Sequence, residues 1–539
     1  MNTVSLKKPV RSACLCVAIL TGAIRSDAAG VTIITHGYDG DVNGWITGMA
    51  DEIPAYHSFP GTNYTTYKIT LTTDGSNNYF YQWQRANGSA PSNTDSGEII
   101  VKLDWSQMAG GPSAPYDIST YTVAQIASFV LLQTNAIADL GGHALAEFPL
   151  HLIGHSRGGS LVSEMSRILG TNGVWVDHLT TLDPHPFNND GNSDPFFPTD
   201  APVRAYVNVL FADDYWQNLG GFTDPTGEAV AGAYVRQLFS LSGGYFNTSS
   251  ISPDHSNVHL WYHGTVDWRT PTSDTEASIT ASERQTWWSA YEQEGTNAGF
   301  EYSLIAGGNR LSTDQPFGPG YPAVRDGYNQ NWDLGAGASP NRTALTADNG
   351  TWPNVMKVDR TDTNPVVQGQ SIALNMYYQW AQPATSNATL SIYLDNDLNP
   401  FNSNQTLLKQ MTVPGTGAST FIGAGGVTVP LPATNASPGW HSLLAVISGG
   451  GQTRYIYAPE RVQVISNQQP ILEIAQLNPL QFQIVVNGLP SQTIILQTSP
   501  DLASWQSIAT NTLATGTWVY TNTPGAGTNM LFYRAALGN

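Results

Sequence analysis

His151-Leu152-Ile153-Gly154-His155-Ser156-Arg157-Gly158-Gly159-Ser160 is the stretch on which the rest of the chain turns. The run from Phe148 to Ile153 is short and apolar, and reads as a buried strand. Beyond the stretch, Leu161, Val162, Met165, Ile168 and Leu169 fall at helical spacing, which predicts a helix from Ser160 to Leu169. A serine therefore stands at a strand-to-helix corner with a glycine two positions to either side. A serine hydroxyl is a poor nucleophile unless a base takes its proton and its Oγ is presented in the open. The sharp turn presents it, and crowding inside the turn explains Gly154 and Gly158. The helix N-terminus also aims N–H groups at developing negative charge. Ser156 is the expected nucleophile, against the plainer reading of a structural turn.

Outward from this corner the chain alternates strand and helix. Val31 to Thr35 is a strand ending at His36-Gly37, Ile99 to Leu103 is a second, and residues 118–139 carry apolar side chains at helical spacing. Leu179 to Leu182 and Ala205 to Phe211 read as further strands. The expected fold class is α/β, a mostly parallel sheet with helices on both faces, followed by β domains. At 539 residues the chain exceeds one core. Residues 29–350 form the expected catalytic domain, with 306–350 as a Gly-, Asn- and Pro-rich irregular wrap. Residues 351–467 give short alternating segments such as Thr389 to Leu394 and predict a β-sandwich of immunoglobulin-like size. Residues 468–539 predict a small β module with strands near 481–486, 493–498 and 517–521.

Composition narrows the function. Hydrophobic residues make up 41% and charged residues 12%, with 52 Gly and 33 Pro, a turn-rich globular chain. A formal charge of −19 and the lack of any Lys/Arg run after residue 30 argue against nucleic acid and against electrostatic membrane binding. Residues 1–28 read as a signal peptide: Lys7, Lys8 and Arg11 precede an apolar Ala13 to Ile24, and Ser26-Asp27-Ala28 ends in a small residue. Cys14 and Cys16 leave with it, so no disulfide is expected. No later run is long and apolar enough to span a bilayer. The expectation is a secreted or surface-associated protein with no transmembrane segment.

Acyl transfer at a serine needs an acid, a base and donors for the oxyanion. One donor is the backbone N–H of Arg157, the residue after the nucleophile. The acid should end a strand after the serine, and Leu179-Thr180-Thr181-Leu182-Asp183-Pro184 does so, with proline stopping the strand. Asp213 or Asp214, beyond the strand Tyr206 to Phe211, are the alternatives. The base lies in Asp254-His255-Ser256-Asn257-Val258-His259-Leu260-Trp261-Tyr262-His263. Ser256 reads as a helix N-cap, leaving His255 on the preceding loop and making it the preferred base over His259 and His263. A zinc pair at His259 and His263 lacks the glutamate of a zincin motif.

These motifs, in this order, resemble the α/β-hydrolase superfamily over roughly residues 29–270, specifically secreted serine esterases and lipases with appended C-terminal β domains. Thr32-Ile33-Ile34-Thr35-His36-Gly37-Tyr38 resembles the strand-His-Gly-X arrangement of lipases, which implies the Tyr38 N–H as second oxyanion donor. Asp183 resembles the acid of pancreatic-type lipases. The resemblance implies a carboxylic-ester hydrolase working through a Ser-His-Asp triad and an acyl-enzyme, on lipid or other acyl esters. An amidase or acyltransferase with the same triad, and a non-catalytic adhesion or binding protein, are the competing readings. No cofactor is required. Structural calcium is conceivable at Asp190, Asn192 and Asp194, where pancreatic-type lipases hold one in a comparable stretch, or at Asp395, Asp397 and Asn399, against ordinary turns at both. Phe196, Phe197, Tyr215 and Trp216 are candidates for an acyl pocket or lid, or for plain core. Gln497-Thr498-Ser499-Pro500-Asp501-Leu502 with Trp505 and Phe532-Tyr533-Arg534 resembles the short β modules that end many large secreted bacterial proteins. The β domains, which offer no triad of their own, are expected to bind a surface or polymer, and 29–350 to work alone.

Overall fold

The computed structural model describes residues 29–57, 64–189, 195–221, 224–239, 241–266, 274, 276–289, 299–306, 342–346, 350–380, 386–415, 421–432, 436–466, 470–478, 481–525 and 531–538. The expected signal peptide at 1–28, the calcium candidates Asp190, Asn192 and Asp194 and nearly all of the expected wrap at 306–350 lie outside them.

The first sheet is built from β1 (Val31–Thr35), β2 (Thr65–Thr73), β3 (Tyr79–Asn87), β4 (Ile99–Asp104), β5 (Leu150–His155), β6 (Val176–Leu182), β7 (Val209–Trp216) and β8 (Tyr234–Gln237). Its order is β3-β2-β4-β1-β5-β6-β7-β8. β3 pairs antiparallel with β2, and the other neighbours run parallel, which makes the sheet mixed. Both faces of its central strands are buried, whereas β3 at the edge is largely exposed. Helices α2 (Thr120–Leu132) and α3 (Arg157–Thr171) close one side over Val101, Leu152 and Leu179, and α1 (Trp45–His57) and α4 (Pro253–His263) close the other over Ile34, Ile153 and Phe211. A short α5 (Ala281–Ser289) follows.

Four further sheets follow. β9 (Asn354–Arg360), β11 (Ser371–Trp380) and β14 (Phe421–Pro430) form one; β10 (Val366–Val367), β12 (Ala388–Asp395), β13 (Thr406–Val413), β15 (Gly439–Gly449), β16 (Gln452–Tyr457) and β17 (Val462–Ile465) form the next. Val355, Leu374 and Met376 from the first share one core with Leu390, Ile392 and Leu443 from the second. β18 (Ile471–Asn478), β19 (Gln481–Asn487) and β22 (Thr517–Asn522) face β20 (Thr493–Ser499), β21 (Gln506–Thr512) and β23 (Phe532–Leu537) over a small core of Ile484, Val486, Ile494, Leu496 and Leu513. Pairing in these four sheets is antiparallel except β10 on β17.

The expected class, an α/β chain on a mostly parallel α/β-hydrolase sheet, is therefore corrected. Among the described residues strand accounts for 40% and helix for 19%, with a mixed first sheet and several antiparallel ones. The expectation weighed the strand-helix alternation around Ser156 and overlooked the β2–β3 hairpin. That hairpin is rich in Thr, Tyr and Gln, so it lacks the apolar run that marks a buried strand.

The β-rich part is docked on the first sheet, not tethered beside it. Asn354 Nδ2 donates to Gly173 O at 2.8 Å, while its Oδ1 accepts from Trp175 N at 3.1 Å. The fully buried Trp175 indole donates to Gln379 Oε1. Arg454 Nη1 reaches Ala146 O at 2.8 Å, and the Tyr455 ring stacks on Phe148 at 4.9 Å. Asn399 Nδ2 donates to Pro91 O at 2.7 Å and Thr94 O at 2.5 Å.

Candidate active site

Ser156 sits between β5 and α3 with φ 59° and ψ −128°, a left-handed conformation that a side chain rarely adopts. The corner closes only because its neighbours lack side chains. A Cβ on Gly158 would stand 2.5 Å from His36 O, and one on Gly37 would stand 2.5 Å from Ser156 Cβ. Strain and close approach together push the hydroxyl into a cleft of about 580 Å³ lined by Ser156, His255, Gly37, Tyr38, Phe187 and Phe197 among others.

Asp183 follows β6, also at positive φ (45°). Its carboxylate is fully buried and receives four donors. Gln217 N (2.8 Å) and Gly227 N (3.1 Å) reach Oδ1, while Gln217 Nε2 (2.8 Å) and His255 Nδ1 (2.5 Å) reach Oδ2. A carboxylate can only accept, so Nδ1 of His255 carries the hydrogen. Nε2 is then left with a lone pair, the tautomer a general base requires.

His255 is the third residue of α4, not a loop residue. Pro253 opens the helix, because a proline at the first position forfeits an N–H that has no partner there anyway. The helix begins before Ser256, and the N–H groups of its actual first turn are capped by Asp224, not by Ser256. Asp224 Oδ2 accepts from Asp254 N at 2.9 Å and Oδ1 from His255 N at 3.0 Å. The carbonyl of His255 accepts from His155 Nε2 at 3.1 Å. Burial, reinforced by the neighbouring His255 and His259 rings, pushes the His155 pKa well below its ordinary value, so this donor is a neutral imidazole.

The rival residues go elsewhere. Asp213 and Asp214 lie within β7. Asp213 meets His178 Nε2 at 2.9 Å and the Thr180 and Tyr215 hydroxyls. Asp214 accepts from Thr181 and Val230 N, and burial pushes its pKa well above the carboxylate range. His259 also lines the cleft, but its ring lies 3.3 Å from Asp274 and stacks on Trp45 at 4.5 Å, and burial lowers its pKa. Burial opposes charge on His263, yet Asp274 and Glu52, each at 2.6 Å, outweigh it and raise its pKa to about 9.

The two residues expected to supply backbone donors both stand at the serine's cleft or corner. Arg157 is the first residue of α3, so its N–H has no carbonyl one turn earlier. Tyr38 lines the cleft on the loop after β1, two residues beyond His36. The side chain of Arg157 has a separate task. It is fully buried, paired with Asp200 through two 2.7 Å bonds and with Asp117 at 2.8 Å, and lies over the Phe187 ring at 4.6 Å. Gln217, Asp224 and Asp200 were missed at the sequence level. Each acts from a loop, and no local pattern marks them.

Of the aromatic candidates, Phe197 lines the cleft, Phe196 is exposed, Tyr215 is fully buried and Trp216 is part of β7. The 395–399 loop spends its oxygens on protein donors. Asp395 Oδ2 accepts from the Tyr457 hydroxyl, Asp397 Oδ2 from Asn402 and Asn404 at 3.0 and 2.7 Å, and Asn399 Oδ1 from Phe401 N at 2.9 Å. Among the described residues no group of three His, Cys, Asp or Glu is arranged to hold a metal ion, and no helix is long and apolar enough to cross a membrane.

No family model and no curated protein matches the chain. Solved structures share only weak likeness. The CARDB domain of a Pyrococcus furiosus protein in complex with two metal ions is 11% identical at a TM-score of 0.14, over 22% of this chain and 97% of that one. The Pseudomonas fluorescens alkylpurine DNA glycosylase AlkC, bound to DNA with an abasic-site analogue, is 13% identical at 0.16, over 22% and 32%. The α-2-macroglobulin of Escherichia coli is 14% identical at 0.13, over 35% of this chain and 14% of that one. At such scores none of them assigns a fold or an activity to this chain.

Proposed function

We propose that the protein is a serine hydrolase acting on carboxylic esters, with Ser156 as nucleophile, His255 as general base and Asp183 as its partner. The reading rests above all on one observation: the 2.5 Å bond from His255 Nδ1 to a buried Asp183, with His255 and a strained Ser156 lining the same cleft. In the acylation step Nε2 of His255 takes the Ser156 proton as Oγ attacks the ester carbonyl. The oxygen that becomes negative is held by the Arg157 and Tyr38 N–H groups. His255 then protonates the departing alcohol, and a water activated by the same imidazole releases the acid from Ser156. Asp183 keeps the imidazole in the required tautomer and offsets its positive charge. The substrates proposed are acyl esters, lipids among them. Export through residues 1–28, and attachment to a surface or polymer through the β domains, belong to the same proposal.

The test is Ser156→Ala assayed on a p-nitrophenyl ester, with circular dichroism as the check on folding. Turnover is expected to fall by on the order of 10⁶. A folded mutant with wild-type turnover removes the serine from the chemistry and leaves a binding protein.

A further inference from the structure

The two chain neighbours of Ser156 touch two different groups of residues that line the cleft. On one side the guanidinium of Arg157 lies 4.6 Å over Phe187, whose ring packs with Phe197 at 4.4 Å and Tyr38 at 5.3 Å. That wall is aromatic and apolar. On the other side the ring of His155 meets Trp45 edge-on at 6.0 Å, and Trp45 and Tyr245 both pack on His259, at 4.5 and 5.1 Å. This second wall carries a carboxylate placed with care. Glu276 Oε2 lies 3.1 Å from the Tyr245 hydroxyl, and Gly44 makes room for it, since a Cβ there would stand 2.6 Å from Oε1. Asp41 and Gly44 both line the cleft, and among the described residues no Lys or Arg side chain lines it. Burial lowers the pKa of His259, so its ring adds no positive charge beside Glu276 at neutral pH.

Aromatic faces next to a carboxylate attract a cation, first through the ring quadrupole and then through Coulomb attraction. A neutral alkyl group would gain only the aromatic contact, and an anionic one would be repelled. Resting on the serine-hydrolase reading above, we infer that the cleft is bipartite and selects esters with a cationic group. The Tyr38–Phe187–Phe197 wall takes an apolar portion, and the Trp45–Tyr245–Glu276 wall takes an ammonium a few bonds from the scissile carbonyl. Glu276 is the specificity-determining residue, and it takes no part in bond making.

Two isosteric esters separate charge from shape: butyrylcholine and 3,3-dimethylbutyl butyrate, with p-nitrophenyl butyrate as the common reference. The expected kcat/KM favours butyrylcholine by about tenfold at low salt, in line with a partly solvent-exposed cation–π and ion contact. Glu276→Gln should erase most of that preference, raising the KM for butyrylcholine about tenfold relative to that for 3,3-dimethylbutyl butyrate. Tetramethylammonium should compete with p-nitrophenyl butyrate in the wild type and more weakly in the variant, whereas tert-butanol should not compete. Equal kcat/KM for the two butyrates, or a preference that survives Glu276→Gln, overturns the inference and leaves the hydrolase reading standing. Failure of the wild type to cleave any of the three esters overturns the hydrolase reading, and this inference falls with it.

Discussion

Asp183→Asn is the substitution that most directly interrogates the tautomer argument. Asparagine tolerates positive φ better than most residues, so the backbone at 45° can stay as it is. The side chain is nearly isosteric but has one acceptor oxygen in place of two. Two backbone donors, Gln217 N and Gly227 N, converge on Oδ1 and cannot rotate away, so the amide oxygen settles there. The NH2 group then faces Gln217 Nε2 and His255 Nδ1, which both donate in the wild type. Donor against donor is resolved most cheaply by moving the imidazole hydrogen to Nε2, where it blocks the atom that must take the Ser156 proton. The expected outcome is a loss of kcat of about 10⁴, the size seen when a triad acid is replaced by its amide. Stability should fall by only about 1–3 kcal/mol, the cost of one mispaired buried donor. The assay is p-nitrophenyl ester hydrolysis across pH 5–10 beside a urea melt. A variant within tenfold of wild-type kcat would refute the role of the Asp183–His255 bond. Asp213→Asn and Asp214→Asn are controls that should keep most of the activity, since neither residue reaches His255.

His255→Ala should be as damaging as Ser156→Ala, while His259→Ala should retain most turnover of a small neutral ester; a reversal of the two in the same assay would move the base to His259. Arg157→Lys keeps the backbone donor but replaces a planar fork with a point charge, so kcat should fall through a displaced α3 N-terminus and the unfolding free energy from a urea melt should drop by roughly 2–4 kcal/mol. Asp395, pushed up to about 7 by burial, binds its proton more tightly folded than unfolded, so its favourable contribution is present at low pH and lost as pH rises through 7. The change from the ordinary 3.8 corresponds to up to about 4 kcal/mol, and Asp395→Asn should therefore gain stability over wild type at pH 8 but not at pH 4, read from urea melts at both. Ending the chain at residue 350 uncovers Trp175 and Phe148, at about 1.5–3 kcal/mol each, so the 29–350 fragment should melt well below the full chain; an unchanged Tm would mean that the docking contacts carry no stability.

The corner at Ser156 was legible because strand, turn and helix are all local, and the apolar spacing of Leu161 to Leu169 names the helix without help from elsewhere. Asp183 was legible for a similar reason, as the end of an apolar run stopped by Pro184. His255 was singled out, but for an incomplete reason. Pro253 starts the helix two residues before His255, and the cap comes from Asp224, 31 positions upstream of the base. Helix α1 went unread because Gly48 and Pro54 dilute its periodicity. The β2–β3 hairpin went unread because Thr, Tyr and Gln break up its apolar run and most of β3 is exposed. Gln217, Asp200 and the Trp175–Gln379 contact are long-range pairings, and their residues carry no signal until the chain has folded around them.

The docking contacts have a directional consequence. Asn399, Arg454, Tyr455 and Asn354 grip residues 91–94, 146–148 and 173–175, which lie on the segments leading into β4, β5 and β6. Ser156 and Asp183 stand just past the last residues of β5 and β6. Strands of five to seven residues span roughly 17–23 Å, so grip and cleft occupy opposite poles of the sheet. Whatever holds the chain by its C-terminal half, a column, a bead or a cell wall, leaves the cleft facing outward into the medium. Immobilisation through the docked β-sandwich should therefore leave the cleft open to dissolved ester.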